Sequence, residues 1–251
     1  MGADRWVYGK HAVAAALANP ERRWRRLVVL AGHEQQAAAL IAGARARRRG
    51  EAEALLIVDH DGFAPILPES AVHQGLALEV EPLPERHLDD VLRRTGELAA
   101  RPFVVLDRIS DPQNIGAVLR SAAAFGAFAV VVPARGAPVV TGALAKAASG
   151  AVEIVPLVRV VNIARALDRL KQAGFWICVL DESAPQRLAE LELGRRVALV
   201  LGSEGAGMRR LVRERCDFLA RLPTRPEQPT LNASNAAAIA LYELVRHSSD
   251  E

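Results

Sequence analysis

The stretch FVVLDRISDPQNIGAVLR, residues 103–120, decides the fold class, because an apolar strand runs through a short polar loop into an amphipathic helix. The strand is apolar on both faces, as expected in a parallel sheet covered on both sides. In the helix, apolar residues recur at helical spacing at Ile115, Val118, Leu119 and Ala122. Asn114 suits the N-cap, and Arg120 lies roughly opposite the apolar stripe, where it is either a solvated side chain or a functional one.

The same alternation continues to the end of the chain. Strands are predicted at AVVVP, EIVPLV, FWICVLD, RVALVLG and FLARLP. Helices are predicted at NIGAVLRSAAAFG, TGALAKAASG, NIARALDRLKQAG, MRRLVRERC and NASNAAAIALYELVRH. Apolar strands separated by helices predict a mostly parallel sheet, whose ligands bind beyond the carboxyl ends of the strands. We therefore expect the functional loops to follow Asp107, Leu201 and Leu222.

A smaller α/β unit is predicted for residues 1–80. Its helices are expected at GKHAVAAALAN and HEQQAAALIAGARARR, and its strands at RRLVVLAG, ALLIVD and GLALEVEPL. The proline-flanked residues 81–101 contain no apolar run, which is typical of a linker whose middle forms a solvated helix. The α/β domain with the parallel sheet would then occupy residues 102–251.

Composition excludes several classes of protein. The chain has 251 residues, of which 51% are hydrophobic, enough for two modest cores. No apolar run reaches the roughly 20 residues of a membrane span, and the N-terminal stretch lacks the pattern of a secretory signal, so a cytoplasmic location is expected. Cys178 and Cys216 are isolated and predicted to be buried thiols. No metal is expected, because no His, Cys or carboxylate cluster has ligand spacing.

Arginine dominates the positive charge. Lysine and arginine together number 32, and only Lys10, Lys146 and Lys171 are lysines. Many arginines fall into three clusters, which are Arg22, Arg23, Arg25 and Arg26, then Arg45, Arg47, Arg48 and Arg49, then Arg209, Arg210, Arg213 and Arg215. Arginine clusters are typical of nucleic-acid contacts and equally of solvated helix ends, and the sequence leaves both open.

Two further loops carry candidate functional residues. Residues 202–208 hold three glycines in a Gly-x-x-Gly-x-Gly pattern, which matches neither a dinucleotide-binding fingerprint nor a phosphate-binding loop. Within them, Glu204 is either a helix cap or a polar contact for a substrate. The loop before the last helix is stiffened by prolines and begins and ends with Leu222 and Leu231, which offer apolar surfaces for a flat ring.

Three of these stretches, NIGAVLR, LGSEGAGM and TLNAS, resemble the motifs of the SpoU/TrmH family of RNA ribose 2′-O-methyltransferases, within the SPOUT class. Near the N-terminus, YGKHAVAAAL and HQGLALEVEPL resemble the family's small substrate-binding domain, which is similar to the ribosomal L30e fold. The resemblance implies an α/β trefoil-knot methyltransferase domain that binds S-adenosylmethionine. It also implies a homodimer.

Carried over by position, the resemblance makes Gly202, Leu222 and Leu231 cofactor-binding residues, with the two leucines on either side of the adenine. Thr230 stands where the family usually has Ser, which keeps the hydroxyl.

The same resemblance makes Asn114, Arg120, Glu204 and Asn232 the polar active-site set. In the family, the matching Arg is proposed to be the general base. Because a guanidinium keeps its proton, we favour a different part for Arg120, namely binding an RNA phosphate and stabilising the developing alkoxide. Asn114 would orient Arg120 or the ribose, and Glu204 and Asn232 would shape the pocket.

The full layout is similar to a family member that modifies a guanosine ribose in bacterial large-subunit ribosomal RNA. The implied substrate is therefore 23S rRNA or its precursor particle. Alternatives are the same chemistry on transfer RNA or on another ribosomal loop, and a non-catalytic RNA-binding ribosome assembly factor. A nucleotide enzyme with a Rossmann sheet is disfavoured, because no glycine fingerprint follows the first strand of either domain.

Overall fold

A computed structural model describes residues 5–45, 54–96, 101–203, 207–225, 227 and 230–249. The chain divides into two compact units. The first unit contains Met1–Pro84 and Pro138–Ile154, and the second contains Glu85–Ala137 and Val155–Glu251. The first unit thus includes a stretch that the sequence placed in the C-terminal domain. The domain boundaries drawn from the sequence stay a prediction.

Within its described residues, the first unit is built on a four-stranded sheet. The strands are β1 (Trp6–Tyr8), β2 (Trp24–Leu30), β3 (Ala54–Val58) and β4 (Leu76–Val80). Their order is β1-β4-β2-β3, with β4 antiparallel to both neighbours and β3 parallel to β2. Numbered in chain order, the helices of this unit are α1 (Lys10–Ala18), α2 (Glu34–Arg45) and α5 (Gly142–Ala147). The predicted small α/β unit is confirmed, although β1 was not predicted.

The segment 138–154 packs into the first unit through two close contacts. Gly142 lies so near β1 that a Cβ atom would collide with the carbonyl oxygen of Trp6 and the ring of Tyr8. Farther along, the Arg22 guanidinium binds the Glu153 carboxylate at 2.6 Å, and these side chains are only 3% and 2% exposed. Asn19 donates to the same carboxylate at 2.7 Å. The segment is therefore held by a buried ion pair as well as by apolar packing.

The described part of the second unit contains a seven-stranded parallel sheet. Its strands are β5 (Phe103–Leu106), β6 (Ala129–Pro133), β7 (Leu157–Val160), β8 (Trp176–Leu180), β9 (Gln186–Arg187), β10 (Val197–Leu201) and β11 (Phe218–Arg221). Their order is β7-β6-β5-β10-β8-β11-β9, and every pair is parallel. The central strands β5, β6 and β10 are buried along their whole length. The predicted parallel sheet is confirmed, and the knot stays a prediction.

The helices of the second unit are α3 (Leu88–Arg93), α4 (Pro112–Ala124), α6 (Ile163–Gln172), α7 (Arg210–Arg213) and α8 (Ala233–Ser249). Helix α4 packs against α8. The prediction of a solvated helix in the linker is wrong in one respect, because α3 buries Leu88 and Val91 in the core of this unit. These residues are three apart and so share one helical face.

The predicted N-cap of α4 is also wrong. The helix begins at Pro112, and the Asp111 carboxylate accepts hydrogen bonds from the amides of Gln113 and Asn114, both at 3.2 Å. Proline suits the first helical position, because its φ is already helical and its missing N–H has no intrahelical partner there. Asn114 therefore lies inside the first turn, where its side chain is free for other contacts.

Most described guanidiniums of the arginine clusters bind carboxylates of the protein itself. In the third cluster the pairs are Arg209–Asp107, Arg210–Glu214, Arg213–Asp181 and Arg215–Asp168. In the first cluster they are Arg22–Glu153, Arg25–Glu81 and Arg26–Glu79. The side chains of the second cluster lie outside the described residues.

Both cysteines are free thiols, with Cys178 buried and Cys216 half-buried. Burial, together with the neighbouring Cys216, raises the pKa of Cys178 to about 12, so this thiol stays protonated. Among the described helices, none is long and apolar enough to cross a membrane. Over the same residues, no group of three or more His, Cys, Asp or Glu is placed to hold a metal ion. The absence of a metal remains a prediction.

Candidate functional site

A cavity of about 480 Å³ lies at the carboxyl ends of β8, β10 and β11. Its described lining comes from the loops after these strands and from the start of α8, and consists of Leu180, Asp181, Glu182, Leu201, Gly202, Ser203, Gly207, Met208, Arg213, Arg221, Leu222, Thr224, Thr230, Leu231, Ala233 and Ala236. Strand order reverses between β5 and β10, a position near which ligands of open α/β sheets bind, and the cavity adjoins it through the loop after β10.

The three predicted cofactor residues meet in this cavity, since Gly202, Leu222 and Leu231 all line it. Gly202 is closely packed, because a Cβ atom there would lie 2.8 Å from the Gly207 carbonyl carbon and 2.9 Å from the Met208 nitrogen. The loop closes where the Gly207 amide donates to the Ser203 carbonyl oxygen at 2.9 Å. Only glycine fits at position 202, where the outgoing limb of the loop, residues 202–203, passes the returning limb, residues 207–209. Glu204, predicted to shape the pocket, lies outside the described residues.

Asn114 and Asn232 are brought together by the packing of α4 on α8. The Asn232 side-chain amide donates to Asn114 Oδ1 at 3.0 Å. Asn232 Oδ1 accepts from the amide and the hydroxyl of Ser234, at 2.9 and 2.6 Å, which fixes the orientation of the Asn232 amide. Because Leu231 and Ala233 both line the cavity, this asparagine pair lies at its border.

Arg120 is the one described member of the polar set that has no contact with the others. It is exposed on α4, and over the described residues its guanidinium has no hydrogen bond or ion pair and does not line the cavity. Six residues of helix separate it from Asn114, which corresponds to about 9 Å along the axis and about 120° around it. The Arg120 guanidinium is therefore available to a ligand or a partner.

Three of the charged residues that line the cavity, Asp181, Glu182 and Arg221, were not singled out from the sequence, whereas Arg213 was named only as part of an arginine cluster. Asp181 pairs with Arg213 and accepts from the amide and hydroxyl of Ser183, at 2.9 and 2.5 Å. Burial raises the pKa of Asp181, but the Ser183 hydrogen bonds and the Arg213 charge outweigh burial and hold this pKa below its ordinary value. Asp181 and Ser183 follow the apolar strand β8, so the rule that pointed to the loop after Asp107 would also have found these two residues.

Two more charged side chains line the cavity, and they remain without partners. Glu182 and Arg221 make no side-chain hydrogen bond or ion pair with the described residues. Opposite charges that face the same cavity without pairing are suited to a ligand that carries both signs of charge.

Comparison with known proteins agrees with this geometry. The profile of the SpoU rRNA Methylase family matches residues 101–242. The chain belongs to the SpoU rRNA methylase family. A second profile, described as RNA 2′-O ribose methyltransferase substrate binding, matches residues 6–86. The family predicted from the three motifs is therefore confirmed.

Two relatives and one solved structure illustrate the match. The chain is 38% identical over 250 residues to the 23S rRNA (guanosine-2′-O-)-methyltransferase RlmB of Coxiella burnetii, covering 98% of this chain and 97% of the relative. It is 37% identical to RlmB of Pseudomonas putida, covering 96% and 95%. The SpoU methyltransferase AviRb from Streptomyces viridochromogenes, solved in complex with AdoMet, has a TM-score of 0.80 at 25% identity, covering 98% and 91%.

The cofactor of the family, S-adenosylmethionine, fits the residues present. A volume of about 480 Å³ lies within the range of small-molecule sites. Leu222 and Leu231 supply apolar surface, and the close approach at Gly202 leaves backbone groups as the wall of the cavity. Unpaired Glu182 and Arg221 complement a ligand with both positive groups and a carboxylate.

Proposed function

We propose that the protein is an S-adenosylmethionine-dependent methyltransferase that methylates the 2′-hydroxyl of a guanosine ribose in 23S ribosomal RNA. The observation that carries the proposal is that Gly202, Leu222 and Leu231, from two different loops, line one cavity. The target is supported by two relatives, 38% and 37% identical over nearly the whole chain, that are named 23S rRNA (guanosine-2′-O-)-methyltransferases.

In this proposal, Leu222 and Leu231 pack on the two faces of an adenine, and the wall at Gly202 holds it through backbone groups. When bound, S-adenosylmethionine supplies the methyl group. The protein contributes mainly by orienting a ribose hydroxyl, because correct positioning removes much of the barrier to a bimolecular reaction.

Arg120 is the residue that we assign to the ribose hydroxyl. As the hydroxyl passes its proton to solvent water, negative charge develops on its oxygen, and a guanidinium stabilises such charge. Arg120 is exposed and unpaired within the described part of the chain, so it can also bind a neighbouring RNA phosphate. Asn114, held by Asn232 at 3.0 Å, would orient the ribose or Arg120. Glu204 remains a predicted pocket residue.

A homodimer completes the proposal. Ile239 and Tyr242 on α8 are 44% and 54% exposed, and the Tyr242 ring contacts Phe125 at the end of α4 with 6.2 Å between ring centroids. This apolar face lies on the two helices that carry Asn114, Arg120 and Asn232, so a second copy packed there would adjoin the site. Sedimentation should show a dimer that Tyr242→Arg converts to a monomer, and a wild-type monomer would contradict this part.

The first unit would bind the RNA, since residues 6–86 match the substrate-binding profile. The substrate is then 23S rRNA or its precursor particle in the cytoplasm. The rival function, a non-catalytic RNA-binding assembly factor, predicts RNA binding without cofactor binding. Calorimetry with S-adenosylmethionine separates these two functions.

The proposal is tested by mapping ribose methylation in ribosomal RNA from cells with and without the gene. We expect one 2′-O-methylguanosine of 23S rRNA to disappear on deletion and to return with the wild-type gene. Unchanged 23S rRNA together with loss of a methyl group from transfer RNA would favour the same chemistry on a different substrate.

A further inference from the structure

Asp107 is a buried carboxylate to which the proposed chemistry gives no part. It directly follows β5, and its side chain is 0% exposed. Burying a carboxylate is costly unless hydrogen bonds and an opposite charge compensate it. Such a group is expected to persist where it holds other groups in place.

Arg209 compensates the charge of Asp107. It is the last residue of the loop 202–209 that follows β10, which we call the cofactor loop. Its backbone N–H donates to Asp107 Oδ2 at 2.9 Å. Its Nε lies 3.3 Å from Asp107 Oδ1, within ion-pair distance but outside hydrogen-bond geometry. Oδ1 accepts no hydrogen bond from the described residues. Asp107 therefore binds both the backbone and the charge of Arg209.

Arg209 ends the returning limb of the cofactor loop, residues 207–209. Gly207 and Met208 line the cavity, and the Met208 nitrogen lies where a Cβ atom on Gly202 would be only 2.9 Å away. A small shift of Arg209 would therefore move the wall of the cavity directly.

Asp107 is also the first residue of the loop that leads from β5 to α4. Its backbone N–H donates to the Leu201 carbonyl oxygen at 2.8 Å, which extends the pairing of β5 with β10 by one residue. Four residues later Asp111 caps α4, and Asn114 of that helix accepts from Asn232. Asp107 thus lies between the cofactor loop and the helix that carries Asn114 and Arg120.

We propose that Asp107 is a positioning residue that fixes the returning limb of the cofactor loop relative to α4, and so sets both cofactor affinity and the alignment of the two substrates. This inference rests on the proposed function, because it takes the cavity to be the S-adenosylmethionine site. It assigns no direct contact between Asp107 and either substrate.

The test is Asp107→Asn in the full chain. Asparagine keeps an oxygen for the Arg209 N–H but loses the charge that binds the guanidinium. We expect the Kd for S-adenosylmethionine, measured by calorimetry, to rise at least about ten-fold. The KM for S-adenosylmethionine should rise while the KM for RNA stays within about two-fold. Asp168→Asn, which breaks the half-buried ion pair with Arg215, is the matched control and should bind the cofactor as the wild type does.

A folded Asp107→Asn protein, verified by circular dichroism, with wild-type cofactor affinity would overturn the inference. If Asp107→Asn does not fold, Arg209→Ala and Arg209→Lys decide, because this side chain is 43% exposed and tolerates change. The inference predicts weak binding by Arg209→Ala and recovery by Arg209→Lys, and equal wild-type affinity in both would overturn it. A wild-type protein that does not bind S-adenosylmethionine would instead overturn the proposed function, and this inference with it.

Discussion

Asn232 donates its side-chain N–H to Asn114 Oδ1 at 3.0 Å and so joins the start of α8 to the first turn of α4. The two residues are 118 positions apart in the chain. Their contact places the first and third family motifs side by side at the border of the cavity that Leu231 lines.

Replacing either asparagine should slow methyl transfer without preventing folding. We expect Asn114→Ala and Asn232→Ala each to lower the rate at saturating cofactor about 100-fold, since a misplacement of about 1 Å has this effect. The double variant should be little worse than either single one, because residues in one hydrogen-bonded pair are not additive. Asn235→Ala, an exposed position on the same helix, is the control. Losses that multiply in the double variant would show that the pair does not act as a unit.

Gly202→Ala should abolish cofactor binding, because the new Cβ would lie within 2.9 Å of backbone atoms of Gly207 and Met208. The two limbs of the loop would have to separate. Calorimetry should detect no binding at cofactor concentrations that saturate the wild type. Gly43→Ala, in helix α2 with nothing within 4 Å, should bind normally. Wild-type affinity in Gly202→Ala would place the cofactor elsewhere.

Acid should weaken the stabilisation that Asp181 provides. The pKa of Asp181 in the folded protein lies below its ordinary value of about 4, which applies to the unfolded chain. Its contribution to the free energy of unfolding is therefore complete above the pKa of the unfolded chain. That contribution is lost as the pH falls through the pKa of the folded protein. The difference in unfolding free energy between wild type and Asp181→Asn should therefore be constant above about pH 5 and shrink below about pH 4. Urea titrations at several pH values measure this difference. Glu182→Gln, at the unpaired neighbouring residue, serves as control. A difference in unfolding free energy between wild type and Asp181→Asn that grows in acid would contradict the prediction.

The buried pair Arg22–Glu153 should be important to the first unit. Glu153→Gln leaves the Arg22 guanidinium, only 3% exposed, without its counter-charge. We expect a loss of about 3 to 5 kcal/mol in unfolding free energy, as for other broken buried pairs. Glu79→Gln, which breaks the more exposed pair with Arg26, should cost less than about 1 kcal/mol. Similar losses for both variants in denaturant titrations would argue against a special effect of burial.

Much of the fold could be predicted, because long apolar strands are distinctive. Strands β5, β6, β8 and β10 are buried on both faces and lie where their apolar runs predicted them. Short elements were missed, since β1 has three residues and β9 only two. The strand predicted from Glu153 begins only at Leu157, because a turn and Pro156 precede it. Strand order is set by contacts far apart in the chain, which local patterns do not contain.

The site was predictable where a loop follows an apolar strand. This rule pointed to the loops that contain Gly202, Leu222 and Leu231, and the family resemblance assigned these three residues to the cofactor. All three line one cavity. The local pattern assigned Asn114 to the N-cap, but Asp111 caps the helix three residues earlier and Pro112 begins it. The local pattern also gave no role to Asp107, whose partner Arg209 is 102 positions away. Pairings across such distances appear only when the sheet is assembled.

The central claim is tested most directly by methyl transfer from labelled S-adenosylmethionine to 23S rRNA, with nucleoside analysis of the product. The wild type should label a ribose 2′-oxygen of guanosine. Arg120→Ala should be at least about 100-fold slower at unchanged cofactor Kd, as for loss of a group that stabilises developing charge. Arg165→Ala, another exposed helical arginine, should react at the wild-type rate. A label on the base, or an Arg120→Ala protein that reacts as fast as the wild type, would contradict the account.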